Sequence, residues 1–77
     1  MRVVQVLPQG VGWSVHGCGE PIYFHSGPRA EAAARQLAAA LAETSSVELR
    51  VADRSGRLAG RLRLGAGVAV GRALEVV

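Results

Sequence analysis

The spacing of hydrophobic positions changes period twice along this chain, and each change marks a change of element. From Arg2 to Leu7 the chain is rich in β-branched valine. It is interrupted at Pro8 and at the turn-forming run Gln9-Gly10-Val11-Gly12, and Trp13-Ser14-Val15-His16 then resumes a period of two. This predicts a β-hairpin. Gly17, Gly19 and Pro21 break the chain again, and Ile22-Tyr23-Phe24-His25 predicts a third short strand of high β-propensity.

At Ser26 the period shifts to that of a helix. A serine hydroxyl there can accept from an amide of the first helical turn, and Pro28 sits where its missing N–H costs nothing. Ala30, Ala33, Ala34, Leu37, Ala38 and Leu41 follow helical spacing, and Glu31 precedes Arg35 by four positions on the outer side. The inner stripe is mostly methyl groups, so the helix can lie close to a sheet.

Beyond Thr44-Ser45-Ser46 the period returns to two. Val47-Glu48-Leu49-Arg50-Val51 alternates strictly, and beyond the turn Asp53-Arg54-Ser55-Gly56, Leu58, Leu62 and Leu64 are interleaved with arginines. This predicts a second hairpin, with Val51 opposite Leu58, Leu49 opposite Gly60 and Val47 opposite Leu62. That register keeps the apolar set on one face. It sets Glu48 against Arg61 and Arg50 against Ala59, giving a basic outer face that is partly neutralised. The expected architecture is α+β: a βββαββ antiparallel sheet with one helix on one face, forming a single domain over residues 1–64. The extension 65–77, apolar from Val68 onward, is expected to add a sixth strand or an intersubunit contact.

Seventy-seven residues fit one small domain, because a chain of this length buries only about 60% of its unfolded surface. Trp13, Tyr23 and Phe24 are its sole aromatics, so the core must be thin. One cysteine, Cys18, excludes an intramolecular disulfide, and no stretch reaches the roughly 20 apolar residues of a membrane span. A cytoplasmic protein is the expectation, with no membrane partner. All nine basic residues are arginine, the net charge is +3, and the absence of lysine has the look of a GC-rich bacterial coding bias.

Gly12-Trp13-x-Val15, then Phe24-x-Ser26 with Ala30, Ala34 and Leu37-Ala38, then Asp53-Arg54-x-Gly56-Arg57 occur in that order. Together they resemble a family of short bacterial proteins known as a domain of unknown function, which carry a W-x-V hairpin, a hydroxyl-capped A-x-x-x-A-x-x-L-A helix and a D-R-x-G-R turn. The match runs over residues 3–63 and implies a βββαββ fold, with no established activity. Arg29 departs from the family pattern, which commonly has an acid in the first helical turn, as does the tail after Leu64. The aromatic hairpin followed by a capped Ala-rich helix is also similar, at the level of fold, to the arm-type DNA-binding modules of phage-like integrases.

Candidate chemistry is sparse. His16, Cys18 and His25 are soft metal-ligand types, but their spacing matches no zinc signature, and no cofactor is expected. The acids are scattered over different elements, with no pair placed for acid–base work. The expectation is therefore a noncatalytic structural or protein-interaction module that self-associates as a homodimer. Trp13 reads as a core anchor between sheet and helix. The alternative is nucleic-acid binding through the basic strip Arg50, Arg54, Arg57, Arg61 and Arg63, whose phosphate contacts would weaken steeply with salt.

Overall fold

A computed structural model describes residues 2–65 and 75–76. Strands β1 (Arg2–Gln9), β2 (Gly12–His16) and β3 (Ile22–Phe24) precede helix α1 (Gly27–Leu41), which is followed by β4 (Val47–Ala52), β5 (Leu58–Leu64) and the two-residue β6 (Glu75–Val76). The strands form one sheet in the order β3-β2-β1-β4-β5-β6. The βββαββ arrangement thus holds, with β6 pairing on β5 through Gly60↔Val76 and Arg61↔Glu75. The rest of the expected extension, residues 66–74 and 77, lies outside the described residues.

The sheet is mixed. Its central pair, β1 with β4, is parallel, in the register Val4↔Leu49 and Val6↔Val51, while the other pairs are antiparallel. The wholly antiparallel sheet is corrected on this point. Each hairpin closes locally, and α1 carries the chain back over β2 and β1 to lay β4 beside β1 in the same direction. Pro8 is accommodated inside β1 because the β4 register ends at Val6↔Val51, so Pro8 has only Trp13 of β2 as a ladder partner.

The β4–β5 register also differs from the expectation. Val51 faces Gly60, Leu49 faces Leu62 and Val47 faces Leu64, with a bulge between Val51 and Ala52. The shift is two residues. It leaves Leu62 and Leu64 on the expected inner face and changes the outer neighbours, setting Glu48 opposite Arg63 and Arg50 opposite Arg61, while the bulge puts Leu58, expected opposite Val51 on the inner face, opposite Ala52 on the other.

The helix begins as its sequence predicts. Ser26 is extended (φ −122°, ψ 145°) and its Oγ accepts from the Arg29 amide at 3.1 Å. Ala30, Ala34 and Ala38, one turn apart, are fully buried, and Leu37 and Leu41 pack at the rim. Their methyl groups let α1 sit close against β1, β2 and β4, closing a core that also takes in Leu62 and Leu64 of β5. The outward Glu31–Arg35 pair forms at 3.3 Å. After Leu41 the chain turns through Ser45 and Ser46, where Gly65 passes so close that an added Cβ would lie 2.6 Å from the Ser45 carbonyl oxygen. Gly65 also has φ +118°, which a side chain would strain, so that crossing requires glycine.

The core is as thin as the composition implies. Leu49 is its largest fully buried side chain, worth about 1.5–3 kcal/mol of burial. Trp13 and Phe24 pack at its edge and Tyr23 stays exposed.

Candidate interaction surface

Helix α1 covers one face of the sheet and leaves the other bare among the described residues. Because strand side chains alternate and the registers are fixed, the open face resolves into rows that run across the strands. Toward the two hairpin turns lies a mostly apolar row, with Tyr23, Ser14 and Leu7 leading to Ala52 and Leu58. The next holds His16, Gln5, Arg50 and Arg61, with Glu75 of β6 in register beyond them. The third sets Val3, Glu48 and Arg63 side by side. The face is therefore segregated along the strand direction, apolar at one end and charged at the other.

Glu48 is the charge that organises the basic end. Its Oε2 accepts from Nε of Arg50, two residues along the strand, and its Oε1 accepts from Nε of Arg63 across the ladder at 3.2 Å. Only 3% of Glu48 is exposed, whereas both arginines are open to solvent. The carboxylate is thus roofed by arginine stems and is not sunk in the core. The Arg50 hydrogen bond, helped by Arg63 and opposed by desolvation, holds its carboxyl below the usual glutamate range.

Of the five arginines in the predicted strip, three share this face: Arg50, Arg61 and Arg63. Arg57 is exposed at the end of the β4–β5 turn. Arg54 turns inward to a different task. Its Nη1 donates to the Gly12 carbonyl at 2.8 Å and its Nη2 to the Val11 carbonyl at 2.5 Å, while its guanidinium carbon stands 4.8 Å from the centroid of the Trp13 ring. This contact follows from the parallel central pair, which brings the β1–β2 and β4–β5 turns to the same end of the sheet. Trp13 is the anchor its size suggests, and an added Cβ on Gly27 at the start of α1 would come within 3.2 Å of its ring.

The turn that presents Arg54 is built on Asp53. Its Oδ1 accepts from the Ser55 amide at 2.9 Å, the Ser55 hydroxyl at 2.5 Å and the Arg57 amide at 3.1 Å. The Ser55 hydroxyl, together with these amides, lowers the Asp53 pKa. Gly56 closes the turn at φ +90°.

A feature the sequence reading passed over is Ser14, fully buried on the open face, whose hydroxyl shares a hydrogen bond of 2.7 Å with His16 Nε2. The signal was present, since two polar residues at i and i+2 of a strand share a face. With the hydroxyl sealed, the pair orders β2 and offers no exposed nucleophile. The register places His16 and His25 at opposite ends of the β2–β3 pair, because Trp13 faces Phe24 and Val15 faces Ile22. The described residues hold no group of three or more metal-ligating side chains. Cys18 is exposed between Gly17 and Gly19.

Between β1, β4 and β5 the open face is indented by a groove of about 230 Å³. Leu7, Ala52 and Leu58 form its apolar wall, and Arg50, Arg61 and Gln5 its polar end. No helix among the described residues is long and apolar enough to cross a membrane. No protein-family model, curated protein or solved structure matches the chain.

Proposed function

We propose that this protein is a noncatalytic, cytoplasmic interaction module that self-associates through the β3 edge of its sheet. One observation carries the reading. Of the four exposed large apolar side chains among the described residues, Val11 (89% exposed), Tyr23 (63%) and Ile22 (54%) gather at that edge and at the turn beside it. Val11 and Tyr23 line one shallow depression with Trp13 and Phe24. Clustered apolar exposure of this kind marks contact surfaces, and an edge strand without charged residues offers unpaired backbone to a second copy. The small core adds weight, since a domain of this size gains stability from association. The noncatalytic part rests on the sealed Ser14 hydroxyl and on the engagement of Glu48 and Asp53 in internal hydrogen bonds.

The test is the mass in solution across a concentration series, for the native chain and for a variant carrying Ile22→Lys and Tyr23→Lys. A native dimer and a folded monomeric variant support the reading. A native chain that is monomeric throughout overturns it, as does a variant that dimerises equally well.

The gathering of Arg50, Arg61 and Arg63 on one face favours a second reading, nucleic-acid binding through these residues and Arg57. Its measure is a salt-dependent titration against single- and double-stranded DNA and RNA, with Arg57, Arg61 and Arg63 replaced by glutamine as the control.

A further inference from the structure

We propose that the groove on the open face is a docking site for an acidic segment of a partner protein, taking a carboxylate side chain at Arg50 and Arg61 and a neighbouring aliphatic side chain against Leu7, Ala52 and Leu58. This site is separate from the β3 edge and does not depend on self-association there.

The argument starts from an electrostatic oddity. Arg50 and Arg61 stand directly opposite each other on adjacent antiparallel strands, where like charges repel. Both line the same groove. Glu48 engages Nε of Arg50 but leaves its terminal amino groups without a protein partner among the described residues. Glu48 divides itself between Arg50 and Arg63 and makes no hydrogen bond to Arg61. Glu75 pairs in register with Arg61 from β6, on the opposite side of β5 from β4. An anion placed between the two guanidinium groups would turn the repulsion into a pair of charge-assisted hydrogen bonds.

The apolar wall decides what carries the anion. Leu58 remains 38% exposed beside Ala52 and Leu7, one strand row from the arginine pair. A ligand that satisfies both ends therefore has an aliphatic group within a few ångströms of a carboxylate, as adjacent acidic and aliphatic residues of a peptide do. The groove is open and, at about 230 Å³, smaller than the pockets that enclose free small molecules. Its occupant is thus the anchoring part of a larger chain lying across the sheet. A nucleic-acid backbone fits less well: Arg54 is committed to the β1–β2 turn, and the groove has no aromatic wall for a base.

The experiment is amide chemical-shift mapping of the full chain at physiological salt with three probes: a blocked peptide containing Leu-Glu-Leu, its Leu-Gln-Leu twin and a short DNA duplex. The expected result is saturable shifts at Gln5, Leu7, Arg50, Leu58 and Arg61 with the glutamate peptide. Affinity should fall about tenfold for the glutamine twin and for Arg61→Gln, the loss of one charge-assisted contact. Arg61→Lys keeps the charge and should retain part of the binding. Equal binding of both peptides would overturn the proposal, as would no shifts with either or shifts at these amides produced by the duplex alone.

Discussion

The guanidinium of Arg54 is held over the ring of Trp13 while it donates to the carbonyls of Val11 and Gly12. One side chain from the second hairpin thereby closes the turn of the first and covers the outer side of the aromatic anchor. Arg54→Lys keeps the charge but loses the planar fork and the stacking surface. It should destabilise the fold by about 1–2 kcal/mol, read as a shift in urea midpoint at unchanged slope. A midpoint equal to that of the native chain would show that the contact contributes nothing in solution.

Glu48 predicts a pH dependence. Its pKa in the fold is depressed, so its contribution is fully present above the unfolded glutamate value of about 4.3 and is lost as pH falls through the lower folded value. Asp53 acts in the same direction. Unfolding followed from pH 7 to pH 2 should show stability declining below about pH 4.3. Glu48→Gln should be less stable at neutral pH by on the order of 1–2 kcal/mol and should have a shallower acid limb. An unchanged acid limb would assign the pH dependence elsewhere.

Gly12 predicts a local effect at the sheet edge. A Cβ at this position would run into the backbone carbonyl of Phe24, and backbone cannot move aside as a flexible side chain can. Gly12→Ala should therefore loosen β3 from β2 and raise hydrogen exchange at Tyr23 and Phe24 while leaving β4 and β5 protected. Uniform protection across the sheet would count against that steric reading.

Arg29 predicts a gain. The first turn of α1 carries no acidic residue, and Arg29 puts a cation at the positive end of the helix dipole. Arg29→Glu should raise stability by about 0.3–1 kcal/mol, and more at low ionic strength than at high. Thermal melts at two salt concentrations would show whether the gain is present and electrostatic.

Much of the fold could be read from local chemistry. Ser26 and Pro28 fix the start of α1, the alanines at Ala30, Ala34 and Ala38 fix its buried stripe, and the valine-rich alternation places the strands. What escaped was non-local. The pairing of β1 with β4 leaves the same alternation whether parallel or antiparallel, because period two reports which face a residue occupies and not the direction of its neighbour. A two-residue slip in β4–β5 is equally invisible, since it returns the side chains from Arg61 to Leu64 to their own faces; the bulge at Val51/Ala52 and the Asp53 turn set it instead, and the bulge moves Leu58 to the open face opposite Ala52. Arg54 illustrates the limit at the candidate site. In sequence it is one arginine among five, and its partners, Val11 and Gly12, are more than forty residues away.

The parallel pairing at the centre of the sheet also governs how the chain can assemble. Each hairpin closes over a few residues and can form alone, but Val4 meets Leu49 across 45 positions of sequence. The second hairpin meets the first only when the helix between them has brought β4 alongside β1. During synthesis the edge of β1 that pairs with β4 must therefore wait, even with α1 already made and able to cover β1 and β2, until β4 has been made. Pairing of such long separation slows folding, and the commitment to fold comes when the two halves zip along β1 and β4.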